Sequence, residues 1–213
     1  MDPRELLWIG FLVAAYLIIK YRPDWFNAAI IAVGGKWIGK AAMAQQPDFI
    51  TLESRAVAPT RPEARAAVES FTRRGFQLLG SYTIPEMKNL PVQFLTKQDE
   101  SAIAVVYEHS QAGVWCDLVC RYQDGRSFTI TNAKMGGSLE PRPGHTTLRV
   151  PGLTPAALHM RFGRERPAAP PAAFRPDDVA QIFAQAYADE TAWRKSKGLS
   201  RDEVAAAARE KVA

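Results

Sequence analysis

An uncharged apolar run close to the amino terminus constrains this chain more than any other feature. Residues 6–19 contain no Asp, Glu, Lys or Arg. As a helix they reach about 21 Å, which is shorter than the hydrocarbon core of about 30 Å. Flanking Lys and Arg side chains extend toward the headgroups, so we expect residues 1–22 to form a transmembrane anchor. Its lipid-facing side chains are Leu6, Leu7, Trp8, Ile9, Phe11, Leu12, Val13, Tyr16, Leu17, Ile18 and Ile19.

The pattern changes after the break at Pro23, and residues 23–45 predict a second kind of helix. At 100° per residue, the apolar side chains fall on one side and a pair of lysines falls on the other. This arrangement is typical of a helix that lies in the headgroup plane of a membrane. The interfacial and basic residues of this segment and of the turn before it are Lys20, Arg22, Phe26, Ile30, Lys36, Trp37 and Lys40.

Three other interpretations of residues 1–45 stay open at the level of sequence. Ala42 and Ala44 have the spacing of a signal-peptide cleavage site, although they follow the apolar run at too great a distance. The run is also compatible with a helix in the core of a soluble protein. A re-entrant hairpin made of two helices is the third interpretation.

The charges around the apolar run predict how the chain is oriented. Arg4 and the α-amine are the only positive charges before the run, whereas four cations follow it. The positive-inside rule then places the bulk of the chain in the cytoplasm. The cations after the run are Lys20, Arg22, Lys36 and Lys40.

The two cysteines agree with this orientation. If Cys116 and Cys120 share one strand, they lie about 13 Å apart along it, which is too far for a disulfide. Unpaired thiols suit a reducing compartment, and we expect both to be small buried side chains. With an Ala/Arg/Pro-rich usage that resembles proteins of high-GC bacteria, we expect a single-pass protein of the bacterial inner membrane.

Residues 46–165 predict one soluble α+β domain. Residues 102–107 are apolar throughout, as in a central strand covered on both faces, whereas residues 126–132 alternate and predict an edge region. Short turns between strands favour a five-stranded antiparallel meander packed by helices. The strands are residues 76–84, 92–96, 102–107, 114–122 and 126–132; the helices are residues 61–74 and 154–162, the second capped by Thr154 with Pro155 at its first position.

Two stretches of this domain have no regular pattern. Residues 45–60 predict a linker or irregular arm. Residues 134–146 predict a long Gly/Pro-rich loop, and long ordered loops commonly contact partners. Residues 148–151 favour one more short strand.

Residues 166–213 predict a carboxy-terminal arm. Residues 166–176 are rich in Pro and Ala, as in a semi-rigid spacer, and residues 177–197 form a helix with an aromatic stripe that Gly198 ends. Ser200 and Glu203 match a capping box for a last helix. The stripe either folds back on the sheet or docks on a partner. The candidate partner contacts are Gly136, Gly137, Arg142, His145 and Trp193.

Sequence features of a catalytic, cofactor or metal site are absent. His109, His145 and His159 lack metal-ligand spacing, and no phosphate loop, haem-attachment or dinucleotide motif occurs. A net charge of +5 without a dense Lys/Arg block makes nucleic acid a poor partner. We therefore expect no enzyme activity, no cofactor and no small-molecule substrate.

An anchor together with partner-like appendages predicts a non-catalytic accessory subunit of a bacterial inner-membrane complex. Its partners would be the lipid bilayer and larger integral membrane subunits, and respiratory or photosynthetic electron-transfer complexes are the expected setting. A membrane-tethered domain that binds a small apolar ligand or lipid is the alternative. An enzyme whose titratable groups converge only in three dimensions is the third hypothesis.

Overall fold

The computed structural model describes residues 46–56, 58–134, 140–200, 202–203 and 206. The predicted transmembrane anchor, residues 1–22, and the predicted interfacial helix, residues 23–45, lie outside the described residues. Within those residues, no helix is both long enough and apolar enough to cross a bilayer.

The described chain is α+β, and its centre is one mostly antiparallel sheet in which neighbouring strands follow chain order. The predicted five-stranded meander is present as β2 to β6. The prediction of five strands was too low, because one strand is added at each edge. The second of these overlaps the further short strand predicted at residues 148–151 and begins three residues before it. The strands are β1 Glu53–Arg55, β2 Gln77–Ile84, β3 Leu90–Lys97, β4 Ala102–His109, β5 Gly113–Arg121, β6 Ser127–Thr131 and β7 His145–Arg149.

The first edge strand, β1, occupies part of the stretch that the sequence predicted to be irregular. Glu53 pairs with Thr83 and Arg55 pairs with Ser81, antiparallel to β2. A strand of three residues has too few side chains to show an alternating pattern, so its pairing is invisible in the sequence. The preceding Thr51 is also fixed, since its N–H and hydroxyl donate to the Glu86 carboxylate at 3.0 and 2.7 Å.

The second edge strand, β7, runs parallel to β6, with His145 beside Ser127 and Arg149 beside Thr131. The prediction that β6 lies at the edge was therefore wrong. β7 therefore begins at the end of the sheet where β6 also began, and such a return to a parallel strand needs a crossover of roughly a dozen residues. The sequence could not show this return, because the crossover contains no helix pattern.

Strand β4 is buried from Ala102 to Tyr107, as the sequence predicted, because both faces of the sheet are covered. Ala104 and Val106 point to the first face, and Val105 and Tyr107 to the second. Large side chains of the first face include Phe71, Phe76, Leu118, Ile130, Leu158 and Phe162. Those of the second include Ile50, Ile84, Val92, Phe94 and Val179.

Two helices cover the first face. They are α1, Pro62–Thr72, and α2, Pro155–Glu165. The predicted start of α2 is confirmed, since Pro155 occupies the first turn and Thr154 Oγ1 accepts from the Ala157 N–H at 3.3 Å.

The third helix, α3, spans Val179–Lys197 and folds back on the second face. The Phe183 ring lies 5.1 Å from that of Phe94 and 6.3 Å from that of Tyr107. The Pro/Ala-rich spacer before it is tied to the sheet, since the Ala172 N–H donates to the Arg121 carbonyl at 2.8 Å. Of the two options for the aromatic stripe, the chain therefore uses the intramolecular one.

Candidate functional site

Arg142 lies at a corner between residues 140–145 and the second half of α3. Its guanidinium stands between two carboxylates of that helix, with Nη1 3.5 Å from Asp189 Oδ2 and Nε 4.0 Å from Glu190 Oε2. Glu190 Oε1 also contacts the Arg194 guanidinium at 2.6 Å. Arg142 thus links the crossover before β7 to α3, and we call this region the α3 corner.

His145 lies at the same corner, at the start of β7. Its Nδ1 is 2.7 Å from the Ser127 hydroxyl on the neighbouring strand. Burial and the Arg142 charge lower the pKa of His145 from 6.5, and the carboxylates of Glu190 and Asp189 act in the opposite direction. The folded state therefore favours the neutral imidazole.

The Ser127–His145 contact resembles the first two members of a hydrolase triad, but its surroundings do not complete one. An acyl-transfer site needs amide N–H groups aimed at a developing oxyanion. The Ser127 N–H already donates to the Gly144 carbonyl, and the His145 N–H to the Arg142 carbonyl. The pair therefore fixes the start of β7 against β6.

Trp193, on α3, has two cations over its ring. The Lys197 ammonium lies 5.2 Å from the ring centroid and the Arg194 guanidinium 5.7 Å. Lys197 also contacts Glu140 at 2.6 Å and Glu203 at 3.1 Å. Trp193 thus belongs to a charged network that joins the end of α3 to residue 140.

Glu203 completes the network. The predicted capping box is present: the Ser200 N–H donates to Glu203 Oε2 at 2.7 Å, and the Glu203 N–H to Ser200 Oγ at 3.1 Å. The Glu140 N–H donates to Glu203 Oε1 at 2.9 Å. Burial opposes ionisation, yet these N–H donors and Lys197 lower the pKa of Glu203 to about 2.

Three of the five predicted partner contacts, Arg142, His145 and Trp193, therefore meet at the α3 corner and already have intramolecular partners. Gly136 and Gly137 lie outside the described residues.

Sequence reasoning missed Glu108, a carboxylate only 4% exposed at the end of β4. Its Oε2 accepts from the N–H and hydroxyl of Thr60 and from the Arg61 N–H, at 2.9 to 3.1 Å. Its Oε1 accepts from Gln93 Nε2 at 3.1 Å. The donors of Thr60 and Arg61 stand at the amino terminus of α1, where a negative charge is favourable.

A second missed group joins Glu100 to His159 and Lys97. Glu100 Oε2 is 2.8 Å from His159 Nε2, and Lys97 binds the other oxygen. Burial works against the charged form, but Lys97 and His159 lower the pKa of Glu100. His159 is far from Glu100 in sequence, so no spacing rule could have found the pair.

The third missed group is a stacked pair with a carboxylate on the second face. The Tyr107 hydroxyl donates to Asp117 Oδ2 at 3.0 Å, and Trp115 stacks on the Tyr107 ring at a centroid distance of 4.7 Å. Burial raises the pKa of both Tyr107 and Asp117. Asp117 lies on the opposite face of β5 from Cys116 and Cys120, which belong to the core of the first face.

The cysteines are both buried and unpaired, as predicted. Burial raises the pKa of the Cys116 and Cys120 thiols, which opposes the thiolate that a nucleophile requires. In the part of the chain that the structure describes, no group of three or more His, Cys, Asp or Glu side chains has the geometry to hold a metal ion.

Two open clefts mark the surface of the described residues. One, of about 280 Å³, lies beside the amino terminus of α1 and is lined by charged groups that include Arg61, Lys88 and Glu108. The other, of about 410 Å³, lies beneath the spacer between α2 and α3, and Glu100 and Arg166 line it with several prolines. Neither is the enclosed apolar cavity that a lipid-like ligand requires.

Comparison with known proteins adds no family assignment. No protein-family model, no curated protein and no solved structure matches this chain.

Proposed function

We propose that this chain is a non-catalytic accessory subunit of a bacterial inner-membrane protein complex. Residues 1–22 anchor it as a single span, residues 23–45 lie in the headgroup plane, and the sheet domain stands on the cytoplasmic side. There it stabilises a larger integral membrane assembly, such as a respiratory or photosynthetic electron-transfer complex.

The observation that carries the proposal is the uncharged run of residues 6–19 followed by a basic amphipathic segment. An apolar run of this kind has to leave water, and the lysines after it favour an anionic cytoplasmic leaflet by about 1 kcal/mol each.

The chemistry of the described domain supports a non-catalytic role. Catalytic carboxylates need a position from which to exchange protons with a substrate. Both oxygens of Glu108 accept hydrogen bonds. Glu100 is paired with Lys97 and His159. Asp117 accepts a hydrogen bond from the Tyr107 hydroxyl. Each carboxylate accepts hydrogen bonds from other groups of the domain. Both clefts are open to solvent and contain charged groups in their linings, which favours this role over the binding of a small apolar ligand.

The anchor is tested by fractionation of a bacterial host that expresses the full chain. We expect the wild type in the inner-membrane fraction and a chain lacking residues 1–45 in the soluble fraction. Leu12→Arg should also weaken membrane insertion, since Arg at a helix centre costs about 3 kcal/mol, whereas Leu12→Phe should not. Unchanged membrane partitioning of the truncated chain would contradict the anchor.

The accessory role is tested by purification in mild detergent from the native membrane. We expect the tagged chain to migrate in native electrophoresis with larger integral membrane proteins. Recovery of a lone monomer under the same conditions would contradict it.

A further inference from the structure

The first described residues run along α3 and do not leave the domain as a loose tether. Lys195 Nζ donates to the Gln46 carbonyl at 2.8 Å and to Asp48 Oδ1 at 2.6 Å. The Tyr187 hydroxyl donates to the Pro47 carbonyl at 3.1 Å. Tyr187 and Lys195 are about two helical turns apart, so residues 46–48 are fixed at two points along the helix.

The residues that follow fix one apolar ring in an outward position. Ile50 is buried in the second-face core with 5% exposure, whereas Phe49 is 67% exposed. Because Asp48 is bound by Lys195 and Ile50 is packed in the core, the Phe49 ring between them points to the outside of the domain. An outward aromatic ring is favourable at the boundary between headgroups and acyl chains.

We propose that this contact between residues 46–48 and α3, the arm clamp, holds the sheet domain in one orientation on the bilayer. The second half of α3 faces the membrane, Phe49 enters the headgroup region, and α1 and α2 point away. The inference rests on the proposed function, because it takes residues 23–45, which end next to Gln46, as membrane-bound. The partner of this surface is the lipid bilayer itself.

The clamp region does not depend on uncompensated charge. Lys195 is paired with Asp48, Arg194 with Glu190, and Lys197 with Glu140. The orientation is therefore set by the position of residue 46 and by the Phe49 ring. It should hold in vesicles with and without anionic lipid.

The test places one fluorescent label at a time on the full chain in vesicles of phosphatidylethanolamine and phosphatidylglycerol that carry a headgroup-attached nitroxide quencher. The two native cysteines are each 1% exposed and do not compete for the label. Ser196→Cys, at an exposed position near the end of α3, reports on the side that carries this helix and keeps the Phe49 ring in place. Glu69→Cys, on α1 and 66% exposed, is the matched control on the opposite face.

We expect the label at residue 196 to lose most of its emission, and the label at residue 69 to lose none. Equal quenching at residues 196 and 69, with the protein still floating with the vesicles, would overturn the fixed orientation and leave the anchor intact. Loss of flotation by the full chain would instead overturn the anchor, on which the inference depends.

A clamp variant tests the cause of the orientation. A double variant, Tyr187→Phe together with Lys195→Met, removes the three hydrogen bonds from α3 to residues 46–48. Both new side chains are compatible with a helix. Quenching at residue 196 should then fall toward the value at residue 69, whereas Arg175→Met, at a cation with a 76% exposed side chain, should leave it unchanged. Unchanged quenching in the clamp variant would overturn the role of these contacts.

Discussion

At the scale of single residues, the buried carboxylates depend on partners from distant parts of the chain. The buried charge of Glu108 is tolerated because both oxygens accept hydrogen bonds. Thr60, Arg61 and Gln93 supply the donors, so one side chain connects β4, β3 and the start of α1.

We expect Glu108→Gln to destabilise the protein by about 2–3 kcal/mol, because hydrogen bonds to a charged group are lost and an amide NH₂ faces N–H donors. The measurement is the thermal unfolding midpoint of the full chain in mild detergent, followed by circular dichroism. Glu69→Gln, at an exposed carboxylate on α1, is the control and should leave the midpoint unchanged. Equal midpoints for Glu108→Gln and wild type would contradict the structural role.

Residue-level patterns predicted side-chain faces well and polar partners poorly. The prediction that Cys116 and Cys120 are buried on one strand is confirmed. The pairing of Glu100 with His159 and of Ser127 with His145 was missed. Strand alternation is a local property, whereas these hydrogen bonds join residues that meet only after the sheet has formed.

At the scale of elements, α3 shows why a helix pattern does not specify its neighbour. The sequence predicted its span and its end at Gly198, which has a φ of 74°. It left open whether the aromatic stripe covers the sheet or a partner. The second face of β3 and β4 decides this, because its apolar side chains Phe94 and Tyr107 would be bare without a cover.

We expect Phe183→Ala to lower the free energy of unfolding by about 2 kcal/mol. The change removes ring contacts with Phe94 and Tyr107 and leaves a partly solvated gap, so the loss falls below that of a fully buried Phe. Urea unfolding of the full chain in mild detergent measures it. Met160→Ala, at a side chain 70% exposed on α2, should leave the transition in place. A shift of equal size in both variants would argue against specific packing of α3.

The end of α3 predicts a pH dependence. The pKa of Glu203 is lowered from 4.5 to about 2, so its ionised form stabilises the folded state. This contribution is complete above pH 4.5 and is lost as the pH falls toward 2. We expect Glu203→Gln to be about 1–2 kcal/mol less stable than wild type at pH 7, with a gap that narrows below pH 4.5.

The control for this titration is Glu69→Gln, at an exposed carboxylate that faces Arg73 across 3.6 Å. It should match wild type throughout the pH series. A gap between Glu203→Gln and wild type that stays constant down to pH 2 would contradict the assignment of this titration to Glu203.

At the scale of the whole molecule, the sheet is covered on both faces and has short strands at its edges. Hydrogen exchange should therefore be slowest in β4 and fastest in β1 and β7. Mass spectrometry of the full chain in mild detergent would measure this order. Amides of β1 that exchange as slowly as those of β4 would contradict the edge assignment.

The sequence by itself determined the α+β class, the five strands of the meander and the burial of β4 on both faces. It also determined the Thr154 cap of α2 and the capping box of Ser200 and Glu203. These features follow from periodicity and capping chemistry, which act over a few residues. Only the tertiary structure decided the pairing of β1, the parallel return of β7, the cover by α3 and the clamp on residues 46–48. Each of these joins segments far apart in the chain, and backbone pairing or a single polar contact between such segments imposes no repeating pattern on either one.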